Sequence, residues 1–313
     1  MPLHVNNVDV VVSSNFLFGF VSLINSYHNR HQDVSELLTP TMEQMLIDTI
    51  DFLSFAFKSG RAASRPDLVF IYYPTPVAAL DFIGRLKFIL LRTSRTSLFQ
   101  EYPVLKKLLL RVEDVSMTLT NILIDGLTCV DNECFAFHFL GQGDHHPEYR
   151  DRVFCSALTL NTLLDLWTDG RREGGRVYLK NTPYEVRHRI LQLYNFILQR
   201  FDSERLENSF FSGSIKGFST LPWSYPGNHA EMLDGTLVDV HKPFEGEMTE
   251  LIYGMKGKVS GEQYAKMLKE SYFGFPKEPD FHGFNESPFP FWSCDSLTRA
   301  FSILAVTKFE NSF

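Results

Sequence analysis

Neither a Gly-x-Ser-x-Gly motif nor a phosphate-binding glycine-rich loop occurs in this chain, and no alternating strand–helix pattern is present. A hydrolase built on a Ser-His-Asp triad and a nucleotide-binding α/β domain are therefore not expected. There is no long basic run, and the net charge is −7. Lys106-Lys107 and Arg171-Arg172 are isolated pairs that read as solvated turns or faces, so nucleic acid is not an expected partner. No membrane span is expected either: residues 86–110, a long apolar stretch, are interrupted by Lys87, Arg92, Arg95, Glu101, Lys106 and Lys107. Low-complexity tracts are missing, and no break in composition divides the chain, so residues 1–313 read as a single domain. The start, Met1 to Asp9, lacks the basic flank and cleavage pattern of a signal peptide. A cytoplasmic location is expected on that ground. The abrupt entry into a first core helix is also what a fragment of a longer chain would show, and secretion of such a chain stays open.

Cysteine is scarce, with four in 313 residues. Cys155 falls in an apolar helix and reads as an inert core thiol. Cys129 and Cys134 flank Val130-Asp131-Asn132-Glu133; they suit either a small-loop disulfide or half of a zinc site. No second Cys/His pair of suitable spacing completes a zinc set, and no metal site is assigned. The cofactor is unknown.

What is abundant is phenylalanine, 29 residues of it, in a chain that is 44% hydrophobic. The aromatics read as core filling or as the lining of an apolar pocket. Residues 154–167 are apolar on all sides, with Ser, Thr, Ala and Asn in the gaps, which predicts a helix buried all round. Residues 10–19 and 116–125 repeat its pattern of a Ser/Thr-bearing apolar turn, an Asn and an apolar run; residues 295–304 are a copy without the Asn. Such copies predict a repeated helical architecture. Around them, one helix starts either at Thr39-Pro40 or at a Thr41/Gln44 capping box, Thr182-Pro183 starts another, with Thr182 and Glu185 as a capping box, and residues 183–201 form an amphipathic outer helix. Residues 103–112 read as one helix and 116–125 as the next. Residues 68–73 are strand-like in isolation and read as an extended link or short helix. Residues 127–150 and 202–246 read as long irregular segments, and helical signal returns at 261–272.

Alternating inner and outer helices, with Thr-Pro starts on the outer ones, resemble the α/α toroid of terpenoid cyclases and protein prenyltransferases. Residues 154–201 carry most of the likeness. The resemblance implies an all-α fold, an α/α toroid with long irregular loops, and an isoprenoid-type apolar substrate. The catalytic motifs depart from the family: Arg111-Val112-Glu113-Asp114 has Arg where the Asp-x-Asp-Asp acid motif begins, and Gln-Trp repeats are absent. A non-catalytic binding or interaction protein, or a carbohydrate-active α/α barrel, are the alternatives. The expected partner is an apolar small molecule or a protein.

Acids stand before each candidate inner helix: Asp9, Glu113 with Asp114, Asp151 and Asp295. In a ring whose inner helices run one way these would share one mouth. Clustered carboxylates raise one another's pKa, as a general acid requires, or else each simply caps its helix. Glu113 and Asp114 are the expected catalytic acids. Asp9, Asn15, Asn121, Asn161, Trp223 and Asp295 are the expected ligand-lining residues, the three Asn either orienting ligand or bonding neighbouring helices together. Residues 143–151, with His145 and His146, have metal-ligand types in loose order and read as an exposed loop.

Overall fold

In the computed structural model the described residues are 9–64, 76–130, 133–136, 152–173, 176–179, 182–202, 206, 229–232, 237–239, 252–256 and 295–312. They are mostly helical. The first helix, α1 (Val10–Asn29), begins at Asp9, whose side chain accepts hydrogen bonds from the backbone N–H groups of Val11 and Val12 at 2.7 and 2.9 Å. After a 3-10 turn (Val34–Glu36) comes α2 (Pro40–Lys58), with Thr39 accepting from Met42 N and Pro40 in the first turn. Its buried stripe is Leu46, Ile50, Leu53 and Phe57, as the periodicity predicts, and it ends at Ser59 before Gly60, whose φ of 70° is left-handed. A short α3 (Arg61–Ser64) follows.

The chain continues through α4 (Pro76–Thr93), α5 (Ser97–Glu101) and α6 (Pro103–Asp125). Helix α6 corrects the expected division at Glu113-Asp114: the buried series Leu108, Val112, Val115, Ser116, Leu119, Leu123 runs unbroken through it, and an uninterrupted stripe outweighs two exposed acids. Residues 116–125 are thus the second half of a longer helix. A hairpin of β1 (Thr128–Val130) and β2 (Glu133–Phe135) comes next, where an irregular segment is expected.

Helix α7 (Arg152–Trp167) runs directly into β3 (Thr168–Glu173), which pairs with β4 (Arg176–Leu179). Every residue of α7 from Val153 to Leu166 is buried. Helix α8 (Tyr184–Arg200) buries Val186, Ile190, Leu193 and Ile197. Its N-cap is Pro183, and the Thr182 hydroxyl lies buried with no hydrogen-bond partner, so the expected capping box does not form. Strands β5 (His229–Met232), β6 (Leu237–Asp239) and β7 (Ile252–Lys256) make an antiparallel sheet in the order β6-β5-β7. The described residues are thus mostly helical, as expected, with small antiparallel sheets beside the helices. The last helix is α9 (Asp295–Glu310). Residues 68–73, 143–151 and 261–272 and Trp223 lie outside the described residues.

Four long helices pack as successive neighbours, α1 on α4, α4 on α7 and α7 on α9; behind them α2 lies on α1 and α6, and α8 on α7 and α9. In chain order the long helices alternate between the two rows. The copies at 10–19, 154–167 and 295–304 fall in the first row, whereas 116–125 belongs to the second row and α4 takes its place. Helices α4 and α7 approach closely at Gly84, where a Cβ would stand 3.2 Å from Thr162 Cγ2 and 3.3 Å from its carbonyl oxygen.

Candidate functional site

Two places along the first row stand out chemically. One is a buried charge cluster between α4, α7 and α9. Asp81 and Asp165 are each about 2% exposed. Arg85, one turn after Asp81 on α4, brings Nε within 2.8 Å of Asp81 Oδ2, an ion-pair contact outside hydrogen-bond angles. Lys308 of α9 donates to Asp165 of α7 at 2.7 Å. The Arg85 guanidinium lies over the Phe301 ring at 5.1 Å and the Phe18 ring at 6.0 Å, so aromatic faces from α9 and α1 meet the cation of a half-buried side chain. Asp81 Oδ1 has no hydrogen-bond partner. Burial pushes the Asp81 carboxyl up to about 7; Arg85 and Lys308 oppose the rise and Asp165 adds to it. A carboxyl that titrates near neutrality inside a core can hold or release a proton. Alternatively, the two cations neutralise two carboxylates that would otherwise be costly to bury, and so fix the helix register.

Beside this cluster, Asn161 donates from Nδ2 to the carbonyl oxygens of Ala157 and Phe301, at 2.9 and 3.0 Å. It therefore ties α7 to α9, the helix-to-helix role; its Oδ1 has no partner. The ring of Phe154 meets that of Phe301 edge-on, centroids 5.7 Å apart. Other polar groups of the row close onto their own helices, Ser14 onto Val10 O and Thr162 onto Leu158 O.

The second place is the outer face of α1. Val12, Asn15, Phe16, Gly19, Phe20 and Leu23 line an open groove of about 470 Å³. Their spacing follows one side of the helix, opposite the buried Val10, Ser14, Leu17, Val21 and Ile24. Phe16 and Leu23 are 37% and 41% exposed. A Cβ on Gly19 would meet nothing within 4 Å. Over its 20 residues α1 carries no Asp, Glu, Lys or Arg, and it is long and apolar enough to cross a membrane by length and composition. The charges that interrupt residues 86–110 have no counterpart in this helix. One third of the apolar window is buried against the rest of the protein, so α1 serves as a packing helix along one side.

The expected site residues scatter. Glu113 and Asp114 are exposed in the middle of α6 rather than at a helix start. Asp114 pairs with Lys58, and that hydrogen bond and charge hold its carboxyl below the ordinary range, the opposite of what a proton donor needs. Asp9 is a buried N-cap, and Asp295 is the exposed first residue of α9. Asn15 is exposed on the α1 face, and Asn121 is exposed on α6. Asp81, Arg85, Asp165 and Lys308 were missed. Their signal was present: a charged residue inside an all-apolar helical run must find a partner, and Asp165 sits in the most buried run of the chain.

No group of three or more His, Cys, Asp or Glu side chains suited to a metal ion occurs among the described residues. No protein-family model, curated protein or solved structure matches this chain.

Proposed function

We propose that the chain is a binding protein on an alternating helical scaffold, whose α1 groove receives an apolar helix of a protein partner. The observation that supports this reading is the groove from Val12 to Leu23, whose described lining residues carry no charge and which has a notch at Gly19. An exposed glycine inside a helix destabilises it by about 1 kcal/mol relative to alanine, and close approach of another backbone offsets that. The lined stretch spans about 16 Å at 1.5 Å per residue, roughly three turns of a bound helix. The chain's charge of −7 opposes a second copy in the same place, so a different protein is the better occupant.

The test uses the full chain and a synthetic Leu/Ala-rich amphipathic helix as the probe, read by fluorescence anisotropy. Saturable binding is expected, with loss in Gly19→Phe and Leu23→Asp at unchanged melting temperature. Equal binding by wild type and both variants would sink the reading, as would no binding at all. Sedimentation of the unliganded chain as a dimer that Leu23→Asp dissolves would replace the partner with a second copy.

A second reading, an enzyme resembling the α/α toroid terpenoid cyclases and acting on an isoprenoid-type substrate, is supported by Asp81. A buried carboxyl raised to about 7, paired with an Arg85 guanidinium that lies over the rings of Phe18 and Phe301, has the character of a cyclase proton donor, which Asp114 lacks. Incubation with prenyl substrates should then give cyclised products that Asp81→Asn abolishes; product formation unchanged in that variant would eliminate this role.

A further inference from the structure

The hairpin after α6 holds a second piece of chemistry, remote in kind from the α1 groove. Cys129 and Cys134 are directly opposite each other in the β1–β2 register and are joined by a disulfide. The two sulfurs are in unlike surroundings: Cys129 is exposed, whereas Cys134 is fully buried against α8. Arg189 of α8 places Nη1 3.3 Å from each sulfur. The same Nη1 donates to Gln192 Oε1 at 3.0 Å, and Arg189 Nε is buried without a hydrogen-bond partner. Among the described residues Arg189 has no ion pair. The nearby carboxylate, Glu133, is engaged by Arg200 at 2.9 Å.

A guanidinium that touches a disulfide and lacks a carboxylate gains little from the oxidised form, which is neutral. After reduction it gains an anion, because a thiolate beside a cation is favoured. As a staple the bond adds little: its sequence separation is 5, backbone pairing already sets the register, and cross-links stabilise least when the loop is short.

We infer that Cys129–Cys134 is a thiol–disulfide exchange site, in which an external thiolate attacks the exposed Cys129 sulfur and Arg189 receives the departing Cys134 thiolate. The first displacement forms a bond between the incoming sulfur and Cys129 Sγ and breaks the Cys129–Cys134 bond, whose electron pair leaves on Cys134 Sγ. A second external thiolate then attacks the incoming sulfur of this mixed disulfide and releases Cys129. Two thiols become one external disulfide, and their two protons and two electrons pass to the protein dithiol. Gln192 Oε1, 3.3 Å from Cys134 Sγ, accepts from the S–H when Cys134 is protonated and so works against Arg189. Among the described residues, those two groups on α8 and the Glu133–Arg200 pair are polar neighbours of the site.

The experiment equilibrates the full chain in glutathione redox buffers, traps the thiols by alkylation and reads the 129–134 pair by peptide mass. Wild type should be reducible within the glutathione range. Arg189→Gln should move the equilibrium about tenfold toward the disulfide, ~30 mV for this two-electron couple. Arg189→Lys, which keeps the charge, should stay near wild type. Identical equilibria for wild type and Arg189→Gln would overturn the proposal, and so would a wild-type bond that only excess dithiothreitol reduces. Should Arg189→Gln lose its fold by circular dichroism, thiolate absorbance against pH decides: Cys134, taken as the difference between Cys129→Ser and Cys129→Ser/Cys134→Ser, must titrate below the ordinary thiol value of about 8.5. A value at or above it sinks the assignment.

Discussion

Helices α1 and α7 share a sequence style and differ in enclosure. Both are apolar with interspersed Ser, Asn and small residues, and neither carries a single clean stripe. Yet α7 is buried from Val153 to Leu166, while α1 buries only Val10, Val11, Ser14, Leu17, Val21 and Ile24. The reason is position in the row. Helix α7 has α4 on one flank, α9 on the other and α8 behind, whereas α1 packs on α4 and α2. An all-apolar helix therefore reports capacity for neighbours rather than their presence. In α7 the fold meets that capacity; in α1 half of it is left to the groove at Gly19.

Removing the cation that closes the α7–α9 contact should show one of the largest effects. Lys308→Met leaves the Asp165 carboxylate buried and unpaired, and denaturant unfolding should show a loss of roughly 3 kcal/mol. The comparison is drawn most directly by two leucines. Leu163→Ala on α7 should cost about 2–5 kcal/mol, and Leu23→Ala on α1 less than about 1 kcal/mol, in parallel denaturant titrations. Equal losses would mean the two helices are equally enclosed.

Glycines should separate them by sign. Gly84→Ala drives a methyl against Thr162 and should destabilise by about 1–3 kcal/mol, whereas Gly19→Ala meets no neighbour and should raise stability by about 1 kcal/mol while weakening probe binding. The remaining effect depends on pH. Folding raises the Asp81 carboxyl from roughly 4 to about 7, so the folded state holds the extra proton between those values. Its contribution to stability is complete below pH ~4, falls as pH rises toward about 7 and is flat above. The slope is at most about 1.4 kcal/mol per pH unit. Asp81→Asn should flatten this part of the stability–pH curve; an unchanged slope would place the titration elsewhere.

Much of this row was legible in the residues. The all-round burial of 154–167 followed from apolar side chains with no polar face, and the stripes of α2 and α8 from their 3.6-residue period. Breaks were harder. Glu113-Asp114 has the chemistry of a helix start, but two exposed acids do not end a helix whose buried series continues through Val115 and Leu119. The short strands from β5 to β7 offer too few residues for alternation to show. Helix α1 is legible as apolar, and its 20 residues without Asp, Glu, Lys or Arg are in the sequence as well. As for the site, neither the pairing of Asp165 with Lys308 nor the seat of Arg189 over the two sulfurs follows from periodicity, because both join segments far apart in the chain.

That distance between Asp165 and Lys308 has a temporal side. The pair is separated by 143 residues, which at synthesis rates of about 5–20 residues per second is a wait of roughly 7–30 s. Until α9 arrives, the α7 face bearing Asp165 and Asn161 lacks its cover, and the carboxylate keeps its hydration. The first row is complete only once its last member has been made, so α9 acts as a late-arriving latch whose docking marks the end of folding for the buried charges.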